Sequence, residues 1–196
     1  MPQAEFEVPT WKQIYDMLLR QAETISKSGF KPDIIVGIAR GGWLPARVLS
    51  DLLENPNLAN VSAEYYVGIA ETKNAPVLTQ GVSVAVTGKK VLIADDVADT
   101  GRSLKLVTEH VMEKDAHEVM VATLYRKPWS MVTPDFCEKQ TELWVVFPWD
   151  LKETVRRTFE NRGKKTIKDL ASDLYEAGLP KPLAARFLEE MVRTNP

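Results

Sequence analysis

The fold is decided by a stretch near the middle of the chain, which reads Val91-Leu92-Ile93-Ala94-Asp95-Asp96-Val97-Ala98-Asp99-Thr100-Gly101-Arg102-Ser103-Leu104. Its first four residues form an apolar run that is too short for a helix, which predicts a buried strand. Residues 95–101 carry three carboxylates and a glycine, which predicts a loop, and helical spacing follows over residues 103–114. A further strand is predicted over residues 119–124. Strand, helix and strand at this spacing predict a right-handed crossover and a parallel sheet.

A buried strand followed by a helix is also predicted earlier in the chain, after an N-terminal helix. Thr10 is a candidate helix cap with Gln13 as its capping-box partner, and the apolar spacing that follows predicts a helix ended by Gly29. The β-branched run at residues 34–38 predicts a second buried strand, and a helix is predicted over residues 43–53.

Two more strands are predicted between these units, over residues 61–66 and 82–86. The polar stretch between them, residues 68–81, is expected to form a mobile hairpin. Residues 1–150 carry 15 Lys/Arg and 20 Asp/Glu, whereas residues 151–196 carry 10 and 7 and are helical in pattern. The sequence therefore predicts an α/β core with a parallel sheet over residues 1–150 and a C-terminal helical extension over residues 151–196.

Composition narrows the class of protein. The chain has 196 residues, of which 44% are apolar and 27% charged, as in soluble globular proteins. No apolar run approaches the roughly 20 residues that cross a bilayer, and the N-terminus lacks a signal-peptide pattern. Cys137, the single cysteine, fits a reducing compartment, and a net charge of −2 offers no global field for nucleic acid. We expect a cytoplasmic protein with no membrane partner.

The loop after the strand at 91–94 suggests a ligand. Two adjacent carboxylates, Asp95 and Asp96, are costly to desolvate, so they are expected to face solvent, a metal or hydroxyl groups. Residues 99–103 open a helix whose N-terminus favours an anion, and Thr100 and Ser103 add hydroxyl donors. A sugar phosphate combines these features. The plainer alternatives are a turn at the carboxylates and an N-cap at Asp99 or Thr100.

The fourteen residues resemble the phosphoribosyl-pyrophosphate (PRPP) motif of type I phosphoribosyltransferases, and this resemblance implies the same fold. The PRPP-binding residues implied by it are Asp95, Asp96, Ala98, Asp99, Thr100, Gly101, Arg102 and Ser103. The segment 37–46 resembles the pyrophosphate loop of the family, where Arg40 and Gly41 would hold the diphosphate. Relatives often carry a cis peptide in that loop, which we expect near Arg40–Gly41.

Two later segments resemble the 6-oxopurine branch of the family, most closely xanthine-guanine phosphoribosyltransferases. These are Leu124-Tyr125-Arg126-Lys127-Pro128 and Trp144-Val145-Val146-Phe147-Pro148-Trp149-Asp150. The resemblance implies that Lys127 contacts the base O6, Trp144 stacks on the ring, Val145 offers backbone groups and Asp99 faces N7. Asp150 would meet the exocyclic group or cap the next helix, and Trp149 is either a core residue or a base contact.

The reaction implied by the resemblance is Mg²⁺-dependent transfer of phosphoribose from PRPP to hypoxanthine, guanine or xanthine. Asp99 would act as general acid/base, Asp95 and Asp96 would lie near the metal, and Lys73 is the only cation in the 68–81 hairpin that could meet the pyrophosphate. Relatives self-associate, so a homodimer or larger homo-oligomer is expected. The alternative is a PRPP-sensing regulator that binds nucleic acid through residues 151–196. An enzyme of the same fold acting on adenine or a pyrimidine is disfavoured by Lys127.

Overall fold

The computed structural model describes residues 6–65, 75–163 and 165–194, which form strands β1–β8 and helices α1–α6. In chain order the elements are β1 (Phe6–Glu7), α1 (Trp11–Ser28), β2 (Ile34–Ala39), α2 (Trp43–Leu52), β3 (Leu58–Tyr65), β4 (Pro76–Gln80), β5 (Lys90–Ala98), α3 (Arg102–Met112), β6 (Glu118–Arg126), β7 (Phe136–Gln140), β8 (Trp144–Val145), α4 (Leu151–Glu160), α5 (Ile167–Glu176) and α6 (Lys181–Thr194). The chain divides into two compact units, one of residues 15–142 and one that joins residues 1–14 to residues 143–196.

The larger unit is built on a six-stranded sheet with the order β4-β3-β2-β5-β6-β7. Its strands are parallel to their neighbours except β4, which is antiparallel to β3. The central strands β2 and β5 are continuous apolar runs, as expected where both faces of a parallel sheet are covered. Ile35 and Val36 in β2 and Leu92 and Ile93 in β5 are fully buried. The predicted α/β fold with a parallel sheet is confirmed.

Helix α1 begins as its sequence predicts. The backbone N–H of Gln13 donates to Thr10 Oγ1 at 3.2 Å, and Gln13 Oε1 accepts from the backbone N–H of Thr10 at 2.8 Å. This reciprocal pair is a capping box, which satisfies donors that a helix N-terminus leaves open. The helix ends before Gly29, whose φ of +80° is a conformation that glycine adopts without a Cβ penalty.

The strand predicted over residues 82–86 is wrong. The strand in this region is β4, Pro76–Gln80, which lies within the predicted hairpin and pairs with β3. Val82 and Val86 are buried in the apolar cluster that includes Val107 of α3, but their backbone is irregular. The N–H of Val82 donates to His110 Nε2 at 3.3 Å, so a side chain supplies the partner that a strand would supply. Residues 66–74, including the rest of the predicted hairpin and Lys73, lie outside the described residues.

The loop predicted over residues 95–101 begins later than expected. Strand β5 continues to Ala98 because its partner β6 continues beside it. Asp95 pairs with Thr123, and Ala98 pairs with Arg126. The two carboxylates therefore belong to a strand rather than to a loop.

The smaller unit contains three helices within the predicted helical extension, and the short pair of strands β1 and β8. Helices α4, α5 and α6 enclose a core of Val155, Phe159, Leu170, Leu174 and Leu188. Helix α5 begins with a second capping box, between Thr166 and Asp169. The predicted division of the chain after Asp150 stays a prediction. Within the described ranges, none of the helices combines the length and apolarity needed to cross a membrane.

We expect Leu174→Ala to lower the free energy of unfolding by about 2–5 kcal/mol, because the substitution leaves a cavity in this core. Leu174 is 1% exposed, whereas Leu183 at the start of α6 is 39% exposed. The matched control Leu183→Ala should change stability by less than about 1 kcal/mol. Urea denaturation of both variants measures the difference. Equal losses would show that Leu174 does not contribute more to this core than a surface leucine.

Candidate functional site

Three segments of the larger unit converge at the carboxyl ends of neighbouring parallel strands. Residues 40–42 follow β2, residues 95–103 include the end of β5, and residues 127–132 follow β6. Strands β2 and β5 are in register from Ile34 opposite Val91 to Gly37 opposite Ala94, and β6 lies on the other side of β5. Ligands of open α/β sheets bind at this edge.

The glycine segment packs directly on the acidic pair. A Cβ at Gly41 would overlap with the carboxylate of Asp96, so a side chain at residue 41 would displace that carboxylate. The peptide bond between Ala39 and Arg40 is cis, one bond before the position that the sequence predicts. Arg40 is exposed at this edge of the sheet.

Asp95 and Asp96 differ in their surroundings. Asp96 is 9% exposed, and its backbone N–H donates to Asp95 Oδ1 at 3.0 Å. Burial raises the pKa of Asp95 well above its ordinary value, and the neighbouring charge of Asp96 raises it further. The folded site thus disfavours the ionised form of Asp95, which favours a ligand that is cationic or rich in hydroxyl donors.

The start of α3, in contrast to the acidic pair, is suited to an anion. Gly101 has a φ of +78° and occupies the N-cap position, and Thr100 Oγ1 accepts from the N–H of Arg102 at 3.4 Å. Ala98 is fully buried beneath this turn, Ser103 is half-buried and Arg102 is exposed. The N-terminus of a helix attracts anions because its first N–H groups have no partner within the helix.

Lys127 lies beside this turn. It is 4% exposed, and its backbone N–H donates to the carbonyl of Ala98 at 2.9 Å. A cation at this depth is unusual and indicates a paired or functional group. The structure therefore brings the backbone of Lys127 next to the turn formed by residues 98–103.

Trp129 is a site residue that the sequence analysis missed. Its indole Nε1–H donates to Asp99 Oδ1 at 3.0 Å, and Lys127 Nζ lies 5.6 Å from the centre of its ring. The available signal in the sequence was the position of Trp129 two residues after Lys127, in the loop that follows the strand predicted over residues 119–124. Helical or strand periodicity does not distinguish such a loop residue from an exposed tryptophan without a role.

The other predicted base contacts belong to the smaller unit. Trp144 is 52% exposed on β8. Val145 is buried and lies opposite Glu7 of β1, and the N–H of Val146 donates to the carbonyl of Glu7. In a parallel pair this arrangement directs the backbone groups of Val145 away from β1.

Trp149 and Asp150 follow in the same segment. The ring of Trp149 stacks on Phe147, with centroids 4.8 Å apart, as in ordinary aromatic packing. Asp150 occupies the N-cap position of α4, but its side chain makes no capping hydrogen bond with that helix. The carbonyl of Asp150 accepts from the N–H of Thr154 at 2.8 Å, as is usual for the backbone of an N-cap residue.

The described residues hold no group of three or more His, Cys, Asp or Glu side chains arranged to bind a metal. Asp95 and Asp96 offer carboxylate oxygens, and such oxygens suit Mg²⁺ when a substrate and waters supply the remaining ligands.

Comparison with known proteins identifies the family. A family model described as "Phosphoribosyl transferase domain" matches residues 7–155. The chain belongs to this family. A xanthine-guanine phosphoribosyltransferase of Nitratidesulfovibrio vulgaris is 33% identical over 144 residues, which cover 72% of this chain and 82% of that relative. One from Gluconobacter oxydans is 32% identical over 145 residues, with the same shares of each chain.

Solved structures support the same membership. A purine phosphoribosyltransferase from Pyrococcus horikoshii superposes with a TM-score of 0.68 at 37% identity, covering 74% of this chain and 93% of that one. A xanthine-guanine-hypoxanthine phosphoribosyltransferase from Helicobacter pylori has a TM-score of 0.67 at 19% identity, which shows the shared fold. The phosphoribosyl transferase match ends within α4, so α5 and α6 lie beyond it.

We expect Asp95→Asn to stabilise the ligand-free protein at pH 7. At that pH the unfolded chain solvates the Asp95 carboxylate, whereas the folded site disfavours its ionised form. Because the folded pKa is raised, stability is highest below the ordinary pKa of 3.8 and decreases as the pH rises through the raised value. The amide retains the oxygen that accepts from Asp96 N–H.

Thermal unfolding of Asp95→Asn between pH 3.5 and pH 7 tests this expectation. The gain over the parent protein should be present at pH 7 and should shrink towards pH 3.5. Asp51→Asn, at an exposed position of α2, is the control and should have little effect at either pH. A destabilised Asp95→Asn at pH 7 would contradict the expectation.

Proposed function

We propose that this protein transfers the phosphoribosyl group of PRPP to a 6-oxopurine base and releases pyrophosphate. The observation that carries the proposal is the convergence of an acidic pair, an anion-binding helix N-terminus and a buried lysine at adjacent strand ends. These groups suit the ribose hydroxyls, the phosphate and the oxo group of the reactants. The names of the relatives, which are purine and xanthine-guanine phosphoribosyltransferases, point to the same reaction.

The PRPP molecule would extend across the two strand ends. Asp95 and Asp96 would face the ribose hydroxyls, and the turn that comprises Ala98, Asp99, Thr100, Gly101, Arg102 and Ser103 would hold the 5-phosphate. Arg40 and the backbone of Gly41 would hold the pyrophosphate. Lys73 is proposed as a further pyrophosphate contact from its place in the sequence.

The base would lie beside Lys127, whose ammonium group is a donor for the 6-oxo oxygen and has no acceptor for a 6-amino group. Trp144 would stack on the ring, Val145 would offer backbone groups and Asp150 would reach the exocyclic group. The exposure of Trp144 and the direction of the Val145 backbone support these roles. Asp150 remains proposed from the resemblance alone.

In the reaction the C1–O bond to pyrophosphate breaks, the electron pair leaves with pyrophosphate, and a purine nitrogen forms the C1–N bond. The base gives up a proton, for which the Asp99 carboxylate is the proposed acceptor through N7. The protein contributes chiefly by positioning the reactants and by stabilising the charge that develops on them.

Mg²⁺ is the proposed cofactor, and the donor chemistry of Asp95 and Asp96 fits it. When bound with PRPP, the ion would neutralise charge on the pyrophosphate. A cation near the pair would also favour the ionised form of Asp95, whose pKa is raised by burial and, to a smaller extent, by the charge of Asp96. A cytoplasmic location and self-association as a homodimer or larger homo-oligomer remain predictions.

The regulator alternative is less well supported. Arg157 of α4 is paired with Glu153 at 2.7 Å, and Lys165 is paired with Asp173. Both cations have acidic partners, so they offer less charge to nucleic acid than the excess of Lys and Arg over residues 151–196 suggests. Nucleic-acid affinity of the whole protein at low salt, where phosphate contacts are strongest, tests this alternative.

The proposed reaction is tested by measuring pyrophosphate release from PRPP and Mg²⁺ with hypoxanthine, guanine, xanthine, adenine or uracil. Release with one or more of the first three, and not with adenine or uracil, supports the proposal. Release with adenine or uracil alone would replace the 6-oxopurine with another base. Binding of PRPP without release from any base would favour the regulator.

We expect Lys127→Met to raise the KM for a 6-oxopurine at least about tenfold, because a hydrogen bond from a charged donor contributes about 1.5–3 kcal/mol. Methionine retains much of the buried volume of the lysine stem. The KM for PRPP should change much less. Lys139→Met, on the exposed surface of β7, is the matched control. Steady-state kinetics of both variants separate the two constants, and an equal loss for base and PRPP would argue against an O6 contact.

A further inference from the structure

Residues 127–132 run alongside the turn that holds Asp99. The N–H of Lys127 donates to the carbonyl of Ala98 at 2.9 Å, and the N–H of Met131 donates to the carbonyl of Thr100 at 3.1 Å. These two hydrogen bonds fix the segment on either side of Asp99. Residue 129 is thereby placed opposite residue 99 by the backbone, before any side-chain contact is considered.

The approach of the two segments is close. A Cβ at Gly101 would lie 2.8 Å from both Ser130 Oγ and the backbone nitrogen of Val132. Such contacts would force one segment to move, so glycine at this position permits the packing. The close packing of the two segments therefore holds Trp129 near the turn that contains Asp99.

The indole of Trp129 is held by polar contacts. It is 56% exposed, so apolar burial does not account for its orientation. Its Nε1–H donates to Asp99 Oδ1, and its face lies near the Lys127 ammonium group at 5.6 Å. One side chain thus contacts both groups that are proposed to read the edge of the base.

We propose that Trp129 is a positioning residue that holds Asp99 Oδ1 and thereby directs Asp99 Oδ2 at the base nitrogen. A carboxylate accepts through both of its oxygens. Oδ1 is engaged by the indole, and among the described residues Oδ2 has no hydrogen-bond partner. The aromatic face also stabilises the position of the Lys127 ammonium group through a cation–π contact.

This inference rests on the proposed function, since it assigns Trp129 a role through Asp99 in that reaction. It predicts that the indole N–H acts mainly on turnover, because Asp99 is proposed to move a proton. It also predicts that the aromatic face acts mainly on base affinity, because Lys127 is proposed to bind the oxo group. These two contributions are separable by substitution.

The experiment compares Trp129→Phe, which retains an aromatic face and loses the N–H, with Trp129→Leu, which loses both. With saturating PRPP, Trp129→Phe should lower kcat about tenfold and change the base KM less than about threefold. Trp129→Leu should lower kcat similarly and also raise the base KM. Trp11→Phe, at a tryptophan with 59% exposure in the smaller unit, is the control and should retain both constants.

A double-mutant cycle shows whether Trp129 acts through Asp99. In an Asp99→Asn background the proposed proton acceptor is absent, so adding Trp129→Phe should have no further effect on kcat. A full tenfold loss in that background would overturn the proposal. So would a Trp129→Phe enzyme with the kinetics of Trp11→Phe, or a Trp129→Leu enzyme with a lower base KM, which would show that the indole obstructs the base.

Failure of the proposed function gives a different result. In that case the parent protein releases no pyrophosphate with any 6-oxopurine, whatever residue occupies position 129. A parent protein that is active, with variants that do not follow the expected split between kcat and KM, would reject only the role of Trp129. Thermal unfolding of each variant separates a loss of folded protein from a loss of turnover.

Discussion

Two carboxylates lie side by side at the end of a buried strand, where burial first and the neighbouring charge of Asp96 second disfavour the ionised form of Asp95. Asp95 and Asp96 are held in extended conformation because β6 continues to pair with β5 past the apolar run. Gly41 approaches the Asp96 carboxylate without a side chain of its own. Burial thus raises the pKa of Asp95, and a ligand at this edge of the sheet can compensate the charge of its carboxylate.

The parts of the fold that follow from local chemistry were predictable from sequence. The capping box of Thr10 and Gln13, the apolar runs of β2 and β5 and the helical character of residues 151–196 all agree with their patterns. The patterns succeed because each describes one element and its own burial. The convergence of Asp96, Thr100 and Lys127 was also predictable, because the strands that precede them are parallel neighbours.

The features that the sequence did not reveal depend on partners. Whether Asp95 belongs to a loop or a strand is decided by β6, which supplies hydrogen bonds to residues with no strong strand preference of their own. Val82 and Val86 are buried without being a strand because His110, a helix side chain, accepts the N–H of Val82. The contact of Trp129 with Asp99 requires two backbone hydrogen bonds between distant segments, and no spacing rule encodes them.

The raised pKa of Asp95 has a thermodynamic consequence for ligand binding. A group that is destabilised in the free protein and compensated in the complex makes the folded state more dependent on its ligand. A cation or a pair of hydroxyl donors at this site therefore stabilises the folded protein. The increase in the free energy of unfolding should be largest at a pH above the raised pKa of Asp95, where its carboxylate is ionised. Ligands that bring positive charge or hydrogen-bond donors to the end of β5 are therefore favoured over ligands that bring further negative charge.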